Sequence, residues 1–465
     1  MTKQVFTVTD LGPGDGGKGG IVHKLCCLKN AHTVLKVGGA QGSHGVRTSR
    51  GESFNFSQFG CGTFEGVQTY VSDCMVIDPI GLLAEGNSLK YEHGLCNPFS
   101  LIAVDQDALC ATPFHGVASR LQELARKEHQ KGSVGVGIGE TKVDAELHPE
   151  LAIYVRDIGS PSFKRKIESV RDYTLAKLAP IIEHVDDLWP DDRATARDEI
   201  AFLTSHDVVD WVHDEFVQMR AAVRIGNREY LARDVLARDG TVVVESSHGI
   251  LTDRYYGFHP YTSRLRTIPQ LTTFDLLAAC GYDGEVVKLG VTRGYQIRHG
   301  AGPMVTDDPS LAERLLPGSH KKNNRYQGKI RVGPLDLVSL RYAIDVCGGP
   351  QAFNGLAVSW FDQIMIEGKW QVCHSYSGAL DREFFTLPGR IRVRRGVGEE
   401  QLSHQGELSR RLFACKPTLE TFDLNGTSDL RQAAMDRCSE TLLEQLRVPV
   451  RMMSFGQTEN DKVCM

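Results

Sequence analysis

A glycine-rich segment near the N-terminus has the residue types that bind phosphate. Residues 10–25 read DLGPGDGGKGGIVHKL, and Gly12, Gly17 and Lys18 form the G-x-x-x-x-G-K skeleton of a phosphate-binding loop. Successive backbone N–H groups bind phosphate oxygens, and the lysine neutralises charge during phosphoryl transfer. The residue that usually supplies a magnesium-binding hydroxyl is Gly19 here, so the loop needs another metal ligand.

An acid inside this loop requires an explanation. Asp15 would repel phosphates unless it has a chemical task. It could replace the missing hydroxyl as a metal ligand, or act as a base that faces a second substrate across the phosphates. The structural alternative is a helix N-cap. We also expect the backbone of Gly14 to belong to the phosphate-binding surface.

Two further glycine-rich turns follow along the chain. VGGAQGSHGV (37–46) comes directly after a predicted strand and contains His44. Because this histidine stands at a strand end beside a phosphate site, a catalytic role is favoured over a structural one. KGSVGVGIGE (131–140) is too flexible for a strand interior, and taken alone it indicates little.

Basic residues are concentrated in two later segments. TRGYQIRHGAGPM (292–304) places Arg298 and His299 before a tight turn. NNRYQGKIRVG (323–333) is either a loop that closes on an anion or a solvated basic loop.

A carboxylate at a strand end could recognise a nucleotide base. SWFD (359–362) ends a predicted strand with Asp362, which could accept two N–H bonds from a guanine edge, as in the N-K-x-D box of GTP-binding proteins. The box is partial, because Ser359 and Trp360 replace its first two residues.

The predicted secondary structure places these motifs at one edge of a sheet. Strands are predicted at 4–10, 32–39, 241–246, 285–292, 355–362 and 448–456, and helices at 19–28, 162–179, 207–221 and 334–346. The alternation predicts an α/β fold with a mainly parallel central sheet flanked by helices, and ligands beyond the carboxyl ends of its strands. We expect one domain over 1–465, with 100–230 as a helix-rich inserted capping region.

Composition narrows the class of protein. The 465 residues are 41% hydrophobic and 24% charged, as in ordinary globular proteins, and the net charge of −5 argues against a protein that coats nucleic acid. Twelve cysteines without a C-x-x-C pair fit reduced thiols. The N-terminal segment does not read as a signal peptide, and no apolar run approaches the roughly 20 residues of a membrane span. We therefore expect a cytoplasmic protein without a membrane or nucleic-acid partner.

Taken together, the motifs resemble those of the adenylosuccinate synthetase family, in the same order along almost the whole chain. The matching segments are GDGGKGG (14–20), GGAQGSHG (38–45), SVGVGIGE (133–140), ESSHG (245–249), IRHGAGP (297–303), GPLDLVSLRYA (333–343), SWFD (359–362) and VPVRMMSFG (448–456). The resemblance implies a fold like that of P-loop NTPases. It also implies a ligase of purine biosynthesis that uses Mg²⁺, GTP or ATP, a purine nucleotide and L-aspartate or a similar amine, in a homodimer.

The resemblance also implies a role for each matching residue. A γ-phosphate moves to the 6-oxygen of the purine, and the amine then displaces the phosphate to give an N6-succinyl purine. Asp15 would take the N1 proton and, with Ser43, bind Mg²⁺, while His44 and Lys18 would stabilise the transferring phosphate. The implied nucleotide-binding residues are Gly14, Gly17, Gly19, Trp360, Asp362 and Gly456, and the implied substrate-binding residues are Gln41, Ser133, Val134, His248, Lys329, Arg331 and Arg298.

Several residues depart from the family pattern. Gly16 and Gly20 stand where the family has Glu and Lys, and Trp360 replaces a Lys of the base-binding box. The other departures lie around the acceptor: Gln41, Val134, Val136, His248 and Tyr326-Gln327, with Glu150 near the place of an Arg that crosses the family's dimer interface. The donor site is thus kept, while the acceptor site is rebuilt.

Three functions remain open on this evidence. The favoured one is the ligase, with the alternative that it takes another acceptor such as (d)GMP or another amine donor. A second is a phosphotransferase or NTPase without amine ligation. A third, a silent binding protein, is disfavoured by the retention of Asp15, Lys18 and His44.

Overall fold

The computed structural model describes residues 3–318, 325–378, 380–424 and 430–465. The strands are β1 (Lys3–Asp10), β2 (Thr33–Gly39), β3 (His44–Arg47), β4 (Ser53–Phe56), β5 (Gln68–Ile77), β6 (Ile102–Asp105), β7 (Leu109–Cys110), β8 (Arg224–Gly226), β9 (Gly240–Gly249), β10 (Glu285–Arg293), β11 (Gln296–His299), β12 (Ile330–Gly333), β13 (Leu335–Asp336), β14 (Gly355–Ser359), β15 (Lys369–Gly378), β16 (Phe385–Leu387), β17 (Arg390–Ile391), β18 (Cys415–Asp423), β19 (Val450–Ser454) and β20 (Lys462–Cys464).

The helices separate these strands along the chain. They are α1 (Lys18–Lys29), α2 (Pro79–Tyr91), α3 (Pro113–Ala125), α4 (Ile138–Leu147), α5 (Phe163–Glu183), α6 (Pro190–Thr204), α7 (Val208–Ala222), α8 (Arg228–Tyr230), α9 (Asp275–Ala279), α10 (Pro309–Leu315), α11 (Leu337–Val346), α12 (Phe361–Glu367), α13 (Glu399–Ala414) and α14 (Leu430–Leu446).

A large, mainly parallel sheet is the centre of the molecule. Its order is β20-β19-β14-β10-β1-β9-β2-β5-β6-β8, with β7 beside β5. All of its pairings are parallel except β19 with β20. The predicted α/β fold is confirmed. Parallel strands place their following loops at one edge, which is where the predicted motifs meet.

The first strand and helix show how the sheet positions the phosphate loop. β1 lies between β9 and β10, and Val5 and Val8 on its two faces are buried. α1 follows the loop and buries Ile21 and Leu25 against the sheet. Packing at both ends therefore holds the short loop between β1 and α1.

The helix-rich region also contributes strands to the central sheet. The helices α3 to α7 lie between β7 and β8 in the chain, and β6, β7 and β8 belong to the central sheet. These helices occupy 113–222, within the region 100–230 that is predicted to be inserted.

The strand predicted at 355–362 ends earlier than expected. β14 stops at Ser359, because Trp360 adopts a left-handed conformation with φ 58° and α12 starts at Phe361. Asp362 therefore lies in the first turn of a helix, and its prediction as a strand-end residue is wrong.

Candidate active site

A large cavity lies at the carboxyl edge of the central sheet. Its volume is about 460 Å³. Most of the residues predicted from the sequence line it: Gly14, Asp15, Gly17, Lys18, Gly19, Gln41, Ser43, His44, Ser133, Val134, His248, Arg298, Trp360, Asp362 and Gly456. Residues from seven of the eight motifs thus meet at one site.

Two predicted substrate-binding residues lie outside this cavity. Lys329 is exposed, and Arg331 donates to the carbonyls of Gly300 and Gly302 and to Asp307. Arg331 is nevertheless the register partner of Arg298 between β11 and β12, and its charge helps to lower the pKa of Arg298. The first residues of the predicted basic loop, 323 and 324, lie outside the described part of the chain.

Arg298 is the predicted cation that does line the cavity. It is 5% exposed, and it donates to the carbonyls of Ala301 and Tyr261. A Cβ on Gly302 would stand 2.2 Å from its guanidinium, so glycine at 302 leaves the room this arginine occupies.

A buried carboxylate organises the phosphate loop from below. Asp10, the last residue of β1, accepts hydrogen bonds of 2.8 Å from the N–H groups of Gly12 and Gly16 and from Lys18 Nζ. A Cβ on Gly16 would stand 2.9 Å from this carboxylate, so glycine is required there. Asp10 thus supplies negative charge at the place where the resemblance implied a glutamate at 16. Sequence reasoning missed it, although an acid ending an apolar strand before a glycine loop was the signal.

Asp15 is held by two partners that the sequence did not reveal. Its backbone is left-handed with φ 57°, and its carbonyl accepts from Arg293 Nε at 2.5 Å. Its carboxylate Oδ2 lies 2.8 Å from His299 Nε2. The N-cap of α1 is Gly17, so the alternative reading of Asp15 as a cap is wrong. The carboxylate lies at the cavity wall, where it could act as a base or a ligand.

His44 belongs to a buried charge network. Its Nδ1 lies 2.6 Å from Glu245 Oε1, and Lys36 Nζ lies 2.8 Å from the same oxygen. Burial opposes the charge of Glu245, yet Lys36 and His44 together lower the pKa of that carboxyl. The carboxylate therefore accepts the Nδ1 proton, which leaves Nε2 free to face a ligand; among the described residues Nε2 has no hydrogen-bond partner.

The protonation state of His44 depends on its ligand. Burial lowers its pKa, and Lys18 and Lys36 act in the same direction against Glu245. The imidazole is therefore neutral in the free protein at neutral pH. A phosphoryl group beside Nε2 would raise the pKa again and favour the protonated, stabilising form.

His248 and Gln41 form a polar pair on the cavity wall. Their Nε2 atoms are 2.9 Å apart, so the amide donates to the imidazole and the histidine proton resides on Nδ1. Burial, with Lys18 and His44, lowers the pKa of His248 to about 3. Nδ1 is buried and lacks a hydrogen-bond partner among the described residues. This neutral imidazole therefore offers one N–H donor to a ligand.

A second part of the cavity combines an aromatic ring with a carboxylate. The guanidinium of Arg293 lies over the Trp360 ring, 4.4 Å from its centroid. Asp362 accepts from Gln363 Nε2 at 2.9 Å. Glycine at 17 is also required here, because a Cβ would stand 2.6 Å from Ser359 Oγ. An indole that can stack and a carboxylate that can accept N–H bonds suit a nucleobase.

The donor atoms in the cavity suit a hard cation in one place. Asp15 and Ser43 both line it and supply oxygen ligands, which Mg²⁺ prefers. The cluster of His44, Cys61 and Glu245 is also compact, but the Lys36 ammonium already neutralises its carboxylate. The residues present therefore fit Mg²⁺ at Asp15 and not at that cluster.

Comparison with known proteins decides the family. The family model described as adenylosuccinate synthetase matches residues 8–463. The chain belongs to the adenylosuccinate synthetase family. Members of this family are ligases that form a carbon–nitrogen bond, so the family resemblance seen in the sequence is confirmed.

Curated relatives match the chain along its length. The adenylosuccinate synthetase of Chlorobium chlorochromatii is 27% identical, with 97% of this chain and 95% of the relative covered. That of Halothermothrix orenii is 23% identical, with 97% and 96% covered.

Two solved structures share the fold. The fully ligated adenylosuccinate synthetase of Plasmodium falciparum has a TM-score of 0.77 at 16% identity, with 99% of each chain covered. The succinoaminodeoxyadenylate synthetase of cyanophage S-2L, bound to dGMP and dATP, has a TM-score of 0.57 at 15% identity, with 100% of this chain and 96% of that chain covered. Within the described residues, no helix is long and apolar enough to cross a membrane.

Proposed function

We propose that the protein is a nucleoside-triphosphate-dependent ligase that joins the amine of L-aspartate, or a similar amino acid, to carbon 6 of a purine nucleotide. The observation that carries this proposal is the meeting of an acid, Asp15, and an orphaned imidazole nitrogen, His44 Nε2, at one phosphate loop. An enzyme that only hydrolyses a nucleoside triphosphate does not need a base directed at a second substrate.

The chain's own residues account for each proton and charge in such a reaction. The purine lactam loses its N1 proton to the Asp15 carboxylate, and the 6-oxygen then attacks the γ-phosphorus as the bond to the leaving diphosphate breaks. His44 Nε2, which has no hydrogen-bond partner among the described residues, would stabilise the transferring phosphoryl group. The amine next adds to carbon 6 as the bond to the phosphorylated oxygen breaks, and phosphate leaves with the original 6-oxygen and the proton that the amine loses.

Lys18 has an indirect part in this scheme. Its ammonium is held by the Asp10 carboxylate at 2.8 Å inside the loop, and the residue is 3% exposed. The pair fixes the loop conformation, and a phosphate in the loop would compete with Asp10 for the ammonium. The Lys18 ammonium would thus neutralise the phosphate only by leaving the buried Asp10 carboxylate without its ion-pair partner.

Asp15 and Ser43, which both line the cavity, would hold Mg²⁺. When bound, this ion would neutralise negative charge on the donor phosphates. His299 Nε2 lies 2.8 Å from Asp15 Oδ2, so this imidazole borders the proposed metal site.

The side chains of the acceptor pocket favour a purine nucleotide other than IMP, which is the acceptor in ordinary adenylosuccinate synthesis. Val134 places an apolar side chain in the cavity, and the pair of His248 and Gln41 presents one N–H donor. We therefore propose that IMP reacts slowly and that another nucleotide, with (d)GMP first, reacts better. The phage relative that was solved with dGMP supports this order.

The tracing of the 6-oxygen tests the proposed function. The purified protein is given Mg²⁺, ATP or GTP, aspartate and a purine nucleotide that carries heavy oxygen at carbon 6. Transfer of the label into inorganic phosphate, together with a succinylated purine, is the expected result. Release of unlabelled phosphate without need of aspartate would instead indicate an NTPase.

We also propose that the chain is one domain, that the helices within 113–222 cap the cavity, and that the protein acts as a cytoplasmic homodimer. The proposal rests on the family, and on strands β6 to β8, which join the helical region to the central sheet. Sedimentation with and without nucleotides would test the dimer.

A further inference from the structure

A buried lysine from the last strand lies beside the phosphate loop. Lys462 is the first residue of β20, and 6% of its surface is exposed. Its ammonium donates to the carbonyls of Thr458 at 2.7 Å and Gln457 at 3.3 Å. It also lines the same cavity as Lys18 and Gly456. The mechanism described above makes no use of this cation.

The side chain lies against the first turn of the phosphate-loop helix. A Cβ built on Gly20 would stand 2.9 Å from Lys462 Cε and 3.2 Å from its Nζ. The lysine thus fills the space that a side chain at position 20 would occupy. α1 is 12 residues long, and the N–H groups of its first turn have no acceptors within the helix. The ammonium therefore adds a full positive charge to the partial one of the helix N-terminus.

The charge of Lys462 is poorly compensated in the free protein. In the described contacts both of its acceptors are neutral carbonyl oxygens. Burial lowers its pKa to about 8, against the more distant Asp461 and Glu459. A buried cation without a carboxylate partner costs free energy, and an anionic ligand within hydrogen-bond distance would offset that cost.

The position of the ammonium identifies the part of the ligand it would meet. Gly17, Ser454 and Gly456 line the cavity near it, and Asp362 is close enough to act on its charge. Asp362 and Trp360 also line the cavity and belong to the part that suits a nucleobase. Lys462 is thus between the first turn of α1 and the site that suits the donor nucleobase.

We propose that Lys462 binds the polyphosphate of the donor nucleoside triphosphate, with its remaining N–H directed to a phosphate oxygen. This inference rests on the proposed function and adds a residue from the C-terminal strand to the donor site. The competing explanation is structural: the ammonium only ties the segment 457–458 to β20.

Removal of the Lys462 ammonium group distinguishes phosphate binding from the purely structural role. Lys462→Met keeps the apolar stem against Gly20 and removes the ammonium. Loss of one charge-assisted hydrogen bond should raise the dissociation constant for ATP or GTP about 10- to 100-fold, measured by calorimetry with Mg²⁺. The affinity for the acceptor nucleotide should stay unchanged. Lys24→Met is the matched control, since Lys24 is on the next turn of α1 and does not line the cavity.

The phosphate dependence of the effect makes the test specific. The loss of affinity in Lys462→Met should be present with the triphosphate and absent with the corresponding uncharged nucleoside. An equal loss with both ligands, or no loss with the triphosphate, would overturn the proposal. If the unmodified protein binds no triphosphate at all, the proposed function itself is wrong, so the two failures are distinguishable.

A second variant covers the case in which Lys462→Met does not fold. Gly20→Ala places a methyl group where the lysine Cε lies and displaces only the flexible end of that side chain. Because alanine favours helix, the variant should melt no lower than the unmodified protein. Its triphosphate affinity should nevertheless fall. Unchanged affinity in this variant, with a normal melting temperature, would contradict a role for the ammonium in phosphate binding.

Discussion

At the scale of single residues, the candidate site is a set of groups whose neighbours determine what each can do. Glu245 holds the Nδ1 proton of His44, and Gln41 determines which nitrogen of His248 carries the proton. Asp15 is oriented by His299 and by the bond from Arg293 to its carbonyl. The chemistry assigned to each side chain therefore depends on partners from other strands.

Asp15 and His44 should both be needed for turnover. Asp15→Asn removes the base and His44→Ala removes the imidazole, so each should lower kcat by about 10²–10⁴-fold, the usual value of a positioned acid or base. Nucleotide affinity should change far less. Near-normal kcat with the true substrates in either variant would disprove the assignment. His206→Ala is the control, since His206 is exposed.

His248 should stay neutral over the whole working range of pH. Its pKa is lowered to about 3 by burial, whereas contact with Asp207 raises the pKa of the exposed His206. In NMR spectra from about pH 8 to about pH 5, the His206 ring signals should therefore shift and those of His248 should not, because only the former gains a proton. A titration of His248 near neutral pH would contradict its burial as a neutral donor.

The protein should discriminate only weakly between the nucleobases of the donor triphosphate. Trp360 replaces a lysine of the base-binding box, and its indole can stack on either purine, while Asp362 also accepts from Gln363. We expect ATP or dATP to compete with GTP in steady-state rates. A GTP preference of the order of 10³-fold, about 4 kcal/mol, would show that Asp362 alone discriminates strongly and that this expectation is wrong.

At the scale of elements, much of the site could be predicted because it follows from local patterns. The strand, loop and helix around Lys18 were predicted nearly to their bounds, since β-branched alternation and glycines act over a few residues. The side chains that contact this loop from other strands could not be predicted. Asp10 belongs to the preceding strand, and Lys462 reaches α1 through sheet pairing of the C-terminal strands, which no local pattern reveals.

The same limit explains the misplaced end of β14. Trp360 adopts a left-handed conformation where its sequence still reads as strand. The binding roles of Lys329 and Arg331, assigned by charge and motif order, stay predictions. The carbonyls of Gly300 and Gly302 hold the Arg331 guanidinium in the free protein, and such contacts are not visible in a sequence.

The phosphate loop should lose its conformation when its internal ion pair is broken. Asp10→Asn leaves the Lys18 ammonium buried without a charged partner, so the free energy of unfolding should fall by about 3–5 kcal/mol in chemical denaturation. The exposed pair of Lys3 and Asp283 is the control, and Asp283→Asn should cause no measurable change. Equal stability of the two variants would show that the Asp10 pair does not hold the loop.

At the scale of the whole molecule, the parallel sheet brings segments from residue 13 to residue 462 to one cavity. The family model covers residues 8–463, and both solved relatives cover nearly all of this chain.

The central claim is that the protein links an amino acid to a purine nucleotide. Its most direct test is product formation from IMP, GMP and dGMP, measured side by side by mass spectrometry with Mg²⁺, a nucleoside triphosphate and L-aspartate. We expect an N6-succinyl purine product that requires both aspartate and triphosphate, formed faster from GMP or dGMP than from IMP. Triphosphate hydrolysis without a succinylated product from any of the three nucleotides would contradict the account.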